Sequence, residues 1–130
     1  MIVTTINVNG IRAAVKERSA ENLGLLPWLK DTTSDVICLQ ETRADDAQLT
    51  QALAPALDAG WQLASAEPSA KGRNGVAVLS RAPITAVRVG LSPDCEFVAH
   101  GRYVEVDTDG VTVASVYVPT GEAETDKQVE

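Results

Sequence analysis

The chain has 130 residues, 45% of them hydrophobic, which is enough for one globular domain with a core of its own. No apolar run reaches the roughly 18 residues of a membrane-crossing helix, and no basic-then-apolar leader opens the chain, so neither a membrane span nor a secretory signal is expected. The net charge of −7 counts against a broad nucleic-acid-binding surface, which ordinarily leaves a basic footprint.

The charge is unevenly spread. Residues 71–102 hold Lys71, Arg73, Arg81, Arg88 and Arg102 against Asp94 and Glu96, whereas residues 103–130 set seven acids against Lys127 alone. A local basic patch for phosphates is therefore compatible with an acidic whole. Cys38 and Cys95 are too few and too far apart for a disulfide framework or a zinc site, and a reduced, cytoplasmic setting is expected.

Residues 2–9 read as a first strand. Side chains alternate along a strand, so Ile6 and Val8 share one face while Val3, Thr5, Asn7 and Asn9 share the other. Two carboxamides at the end of a strand, then Gly10 and Arg12, suit either a plain polar turn or a functional rim. Residues 19–31 carry Leu23, Leu26 and Leu29 near helical spacing, with a break or restart expected at Pro27. "DVICLQE", residues 35–41, is a continuous apolar run that suits a strand buried on both faces. In "DDAQLTQALAPAL", Leu49, Leu53 and Leu57 fall at i, i+4 and i+8 of an amphipathic helix, with acids near its start.

After Gly60 the character turns to β. "WQLASA", "GVAVLS", "ITAVRV", "RYVEVD" and "VTVASVYV" are short valine-rich or apolar segments, and "DTDG" at 107–110 joins the last two as a hairpin. The order predicts an α/β (α+β) fold: one mixed β-sheet with helices on one face. Its second face is expected to lie open, since "TGEAETDKQVE" is too polar to cover it. Trp28, Trp61 and the leucines read as core, and His100 as a strand-end or loop residue.

Polar groups recur at strand ends: Asn7 and Asn9, Glu41, and Tyr117 with Thr120. Strand ends on one edge of a sheet are where α/β folds gather reactive groups. One carboxylate among carboxamides suits a hard divalent cation such as Mg²⁺, which takes few protein ligands and keeps waters. Each residue also has an ordinary reading, Glu41 as a solvated acid and Tyr117 as a half-buried strand tyrosine.

Together "NVNGIRA", "SDVICLQETRA", "KGRNGVAVLSR", "GRYVEVD" and "VASVYVPTGE" resemble the N-terminal half of the exonuclease III type of AP endonuclease, within the endonuclease/exonuclease/phosphatase superfamily. The resemblance runs in order from residue 3 to about residue 122. It implies a four-layer α/β/β/α sandwich, of which residues 1–130 supply the N-terminal half of a single domain. It also implies Mg²⁺-dependent hydrolysis (Mn²⁺ as substitute) of DNA phosphodiesters beside abasic sites and at 3′ ends.

The resemblance makes Glu41 the metal-binding carboxylate, with Asn9 near the metal. It gives Asn7 a place in the catalytic cluster and has Tyr117 donate to a phosphate oxygen. Arg12, Arg73, Asn74, Arg102 and Thr120 match DNA-facing positions. The Gly-Asp-x-Asn and Ser-Asp-His segments of the family do not occur in these residues. The chain is accordingly expected to be inactive alone, with a complementary C-terminal half packing on the open sheet face. The rival expectations are the same superfamily acting on a phosphoinositide, a sphingolipid or RNA, and a non-catalytic DNA-binding or assembly fragment.

Overall fold

A computed structural model of the chain describes residues 1–17, 19–21, 23–66, 74–89 and 102–118. Strand β1 spans Val3–Asn7, β2 Val36–Gln40, β3 Gln62–Ala66 and β4 Val76–Ser80. They form one mixed sheet in the order β1-β2-β4-β3. β1 and β2 run parallel, and β4 is antiparallel to both of its neighbours, β2 and β3. Helices α1 (Ile11–Ala14), α2 (Leu25–Asp31), α3 (Asp46–Ala52) and α4 (Ala54–Asp58) cover one face of it.

The alternation of β2 decides how the layers meet. Ile37 and Leu39 are fully buried in a cluster with Ile11, Leu29, Leu49 and Leu53 of the helical layer. Val36 and Cys38 point the other way, into a second cluster with Val76, Val78, Val104 and Val106. The apolar run "DVICLQ" thus has apolar partners on both sides, as a strand inside a layered fold requires.

That second cluster corrects one expectation. β5 (Ile84–Val89), β6 (Tyr103–Thr108) and β7 (Val111–Val116) form a separate antiparallel sheet, which packs on the face expected to be open. The chain covers its own first sheet, with β6 over β4 and β7 over β2. The outward side of the second sheet is polar: Arg88 donates to Glu105 and Asp107, and Thr112 donates to Asp107. Alternation explains the split, because Val104, Val106 and Thr108 are buried while Glu105 and Asp107 face away from the core.

Among the described residues, four strands against three leave β1 without a strand opposite it. Val3 is 49% exposed on the inter-sheet side, and Thr5 and Asn7 are exposed beside it.

The helical layer follows its prolines. α2 restarts at Leu25 with Pro27 in its first turn, where a missing N–H costs nothing. The single helix expected over Leu49, Leu53 and Leu57 is divided at Leu53, because Pro55 cannot donate to the preceding turn. Asp45 opens α3 with a reciprocal cap: its side chain accepts from the Gln48 N–H, and the Gln48 side chain accepts from the Asp45 N–H. Trp61 is buried under the guanidinium of Arg81, 4.3 Å from the ring centroid. Trp28, expected in the core, is 40% exposed on α2. β6 and β7 meet at Asp109-Gly110, whose positive φ angles (49° and 79°) are those of a two-residue hairpin turn.

Candidate active site

Because β1 and β2 are parallel, their carboxyl ends lie on the same edge of the first sheet. The antiparallel β4 begins there, and so do the end of β7 and the start of β6 in the second sheet. Asn7 closes β1, Glu41 follows β2, Asn74 and Gly75 precede β4, and Tyr117 follows β7. Backbone bonds lock the segments together. Val8 N–H donates to Gln40 O, Gly10 N–H to Glu41 O, Thr42 N–H to Gly75 O, and Tyr117 N–H to Arg102 O (2.8 Å).

The rim is conformationally unusual. Asn9, Glu41, Arg43 and Asn74 all have φ between 47° and 57°, the left-handed region that L-residues with a Cβ avoid. Each such residue costs on the order of 1 kcal/mol, least for asparagine, and four of them lie along one short rim. Gly75 (φ 93°) supplies the carbonyl that receives Thr42 without that cost.

Glu41 sits at the centre. The Asn7 carboxamide donates to its Oε1 at 3.1 Å, Arg43 Nη2 donates to its Oε2 at 2.7 Å, and the Tyr117 hydroxyl lies near enough to the same carboxylate for the two to shift each other's ionisation. The bond from Asn7, then those from Arg43 and Tyr117, hold the Glu41 carboxyl below its ordinary pKa. Burial, together with the bond and charge of Glu41, pushes the Tyr117 phenol upward, and the charges of Arg43 and Arg102 oppose this. Near neutrality the rim holds a carboxylate beside an intact phenol.

The other expected residues fall into place unevenly. Asn9 N–H donates to the Asn7 side chain at 3.0 Å, so Asn9 is seen supporting the turn. Arg12 reaches the rim by donating to the Arg43 carbonyl at 3.1 Å, and Asn74 accepts from the Arg43 N–H at 2.8 Å. Arg102 flanks Tyr117. Arg73, Thr120, His100 and Cys95 lie outside the described residues.

Two participants were not singled out from the sequence. Arg43, the cation on Glu41, is one; a positive charge two residues beyond a strand-end acid was the available signal. Gln40 is the other: its amide donates to Thr5 (2.8 Å) and Ser115 (3.1 Å) and ties both sheets together just beneath the rim.

Among the described residues no group of three or more His, Cys, Asp or Glu converges. Glu41 is a lone acid, well ionised and still 15% exposed, with carboxamides as neighbours. Such a donor set fits a hard divalent cation that takes few protein ligands and completes its shell with water.

A carboxylate, a carboxamide and a phenol thus meet at one strand-end rim of a layered α/β/β fold. The chain belongs to the endonuclease/exonuclease/phosphatase family, whose model matches residues 4–123. It is 33% identical over 114 residues to an exodeoxyribonuclease of Bacillus subtilis (strain 168), covering 87% of this chain and 40% of that protein. An AP endonuclease from Archaeoglobus fulgidus superposes with a TM-score of 0.73 at 30% identity, covering 92% of this chain and 42% of the other. The Neisseria 3′ phosphatase NExo bound to a product DNA hairpin superposes with a TM-score of 0.74 at 29% identity, covering 96% and 44%. The chain therefore spans less than half the length of the relatives it matches.

Proposed function

We propose that the chain is the N-terminal part of a Mg²⁺-dependent DNA repair nuclease that hydrolyses phosphodiesters at abasic sites and 3′ ends. The observation that carries this reading is the convergence of Asn7, Glu41 and Tyr117, from three strand ends, in a chain of this family. Glu41 holds the divalent cation, with Asn9 beside it. The cation supplies charge stabilisation at the scissile phosphate and lowers the pKa of bound water. Asn7 fixes the Glu41 carboxylate, and Tyr117 offers its hydroxyl to a phosphate oxygen. Arg12, Arg73, Asn74, Arg102 and Thr120 position the DNA backbone, which aligns a substrate without reading its sequence. That relatives include a nuclease fold bound to DNA supports DNA as the substrate class.

The general base and the second half of the site are assigned to a complementary C-terminal part, in keeping with the chain spanning 40% of the Bacillus subtilis relative. Its place is the shelf beside β1 and β7. There, among the described residues, no strand lies opposite the inter-sheet side of β1, and Val3 on that side is 49% exposed with Thr5 and Asn7 exposed beside it. This replaces the open sheet face as the expected docking surface.

The test begins with the intact mass of denatured protein. A second polypeptide, or a species heavier than 13.7 kDa, is expected. That material should cleave an abasic-site duplex only with Mg²⁺ or Mn²⁺, and Glu41→Gln should lower the rate at least about 100-fold. A single 13.7 kDa species that binds DNA without metal-dependent cleavage would replace this reading with a non-catalytic DNA-binding fragment.

A further inference from the structure

The cation on Glu41 is an arginine, and its setting is more specific than that of a surface ion pair. Arg43 Nη2 lies 2.7 Å from Glu41 Oε2, with the guanidinium end 45% exposed and the carboxylate 15% exposed. The backbone beneath it is pinned: its N–H donates to Asn74 O at 2.8 Å, and its carbonyl accepts from Arg12 Nη2 at 3.1 Å. Its φ of 53° turns the side chain of residue 43 back toward that of residue 41. The base is fixed, and the arm is half in solvent.

Glu41 spends its oxygens unequally. Oε1 takes the neutral Asn7 amide, while Oε2 takes the only ion-pairing cation described on this carboxylate. A guanidinium and a divalent cation on that one oxygen repel each other at contact distance, so each weakens the hold of the other. We propose that Arg43 is a displaceable counter-cation. It orients and neutralises the Glu41 carboxylate in the metal-free protein, and its hold on Oε2 weakens when a divalent cation binds. Arg43 is thus a positioning residue that weakens resting metal affinity, and its freed guanidinium stays at the rim where a phosphate arrives. An anion that draws Arg43 away then strengthens metal binding, and the metal strengthens anion binding by the same factor.

This inference rests on the assignment of Glu41 as metal ligand, and the experiment separates the two. Mn²⁺ binding to the purified protein, together with any complementary part it carries, is titrated by electron paramagnetic resonance for wild type, Glu41→Gln, Arg43→Asn and Arg43→Lys. Asparagine tolerates the left-handed backbone that residue 43 requires, and a thermal melt verifies folding; Arg43→Gln serves as the second neutral variant. Removing the charge should tighten Mn²⁺ about threefold, the scale of a partly exposed ion pair, while Arg43→Lys remains near wild type. Unchanged or weaker binding in both neutral variants overturns the counter-cation role and leaves Glu41 as ligand. Mn²⁺ binding that Glu41→Gln does not reduce overturns the ligand assignment, and the proposal with it.

Discussion

The body of the first sheet and the rim at its end are built from the same strands under opposite rules. Within β2 and β4, Ile37, Leu39, Val76, Ala77, Val78 and Leu79 are fully buried and form an unbroken apolar layer. One to three residues beyond, Glu41, Arg43 and Asn74 adopt left-handed backbones and spend their polar groups on one another. The body gains from removing apolar surface from water, whereas the rim accepts strain to fix a carboxylate among donors. Fold stability and site chemistry are thereby separated by only a few residues.

The largest expected effect is in the body. Leu39→Ala should lower unfolding free energy by about 2–5 kcal/mol, read as a fall in the urea midpoint, because a fully buried leucine between two layers leaves a cavity. A loss below about 1 kcal/mol would mean that the layers close over the gap and that the body is less rigid than its burial indicates. At the junction of body and rim, Asp45→Ala removes the reciprocal cap of α3 and should cost about 1 kcal/mol in the same assay. In the rim itself Glu41→Gln should move the midpoint by no more than about 0.5 kcal/mol while abolishing turnover, since amide and carboxylate occupy the same volume.

The smallest effect belongs to the outward side of the second sheet. Bonds from Arg88, then Thr112, depress the Asp107 pKa from 3.8 to about 2. A depressed carboxyl stabilises the fold above its unfolded value, here above about pH 4, and that contribution is lost as pH falls toward 2. Acid titration of stability should therefore be slightly shallower in Asp107→Asn over that interval. An unchanged slope would show that the solvent-exposed network contributes nothing.

The parts of this architecture legible in the sequence are those set by local pattern. The run Val36–Gln40 is apolar on both faces and reads as an interior strand, and Asp109-Gly110 marks the β6–β7 hairpin without reference to anything distant. The strand-end polar residues were visible too, and Asn7, Glu41 and Tyr117 do converge. Sheet membership was not legible. Alternation along residues 84–116 separates an inward from an outward side, but it does not say whether those strands extend the first sheet or pack on it. The spacing of Leu49, Leu53 and Leu57 persists across the break at Leu53, so periodicity alone conceals it. Arg43 was not singled out because its pairing with Glu41 lies beyond the end of β2, where the alternation of a strand no longer assigns faces.

The connectivity of the rim also bears on how the molecule is assembled in time. Asn7 and Glu41 meet across 34 positions of chain, and Gln40 reaches Ser115 across 75. The β6–β7 hairpin closes over two residues and forms on the microsecond scale of local structure, whereas the parallel β1–β2 pairing must await loop closure over more than thirty. The bond from Asn7 that orients Glu41 thus depends on this long-range closure, whereas the Arg43 ion pair is local. The geometry of the rim is therefore complete only when the first sheet is paired and the second is docked on it.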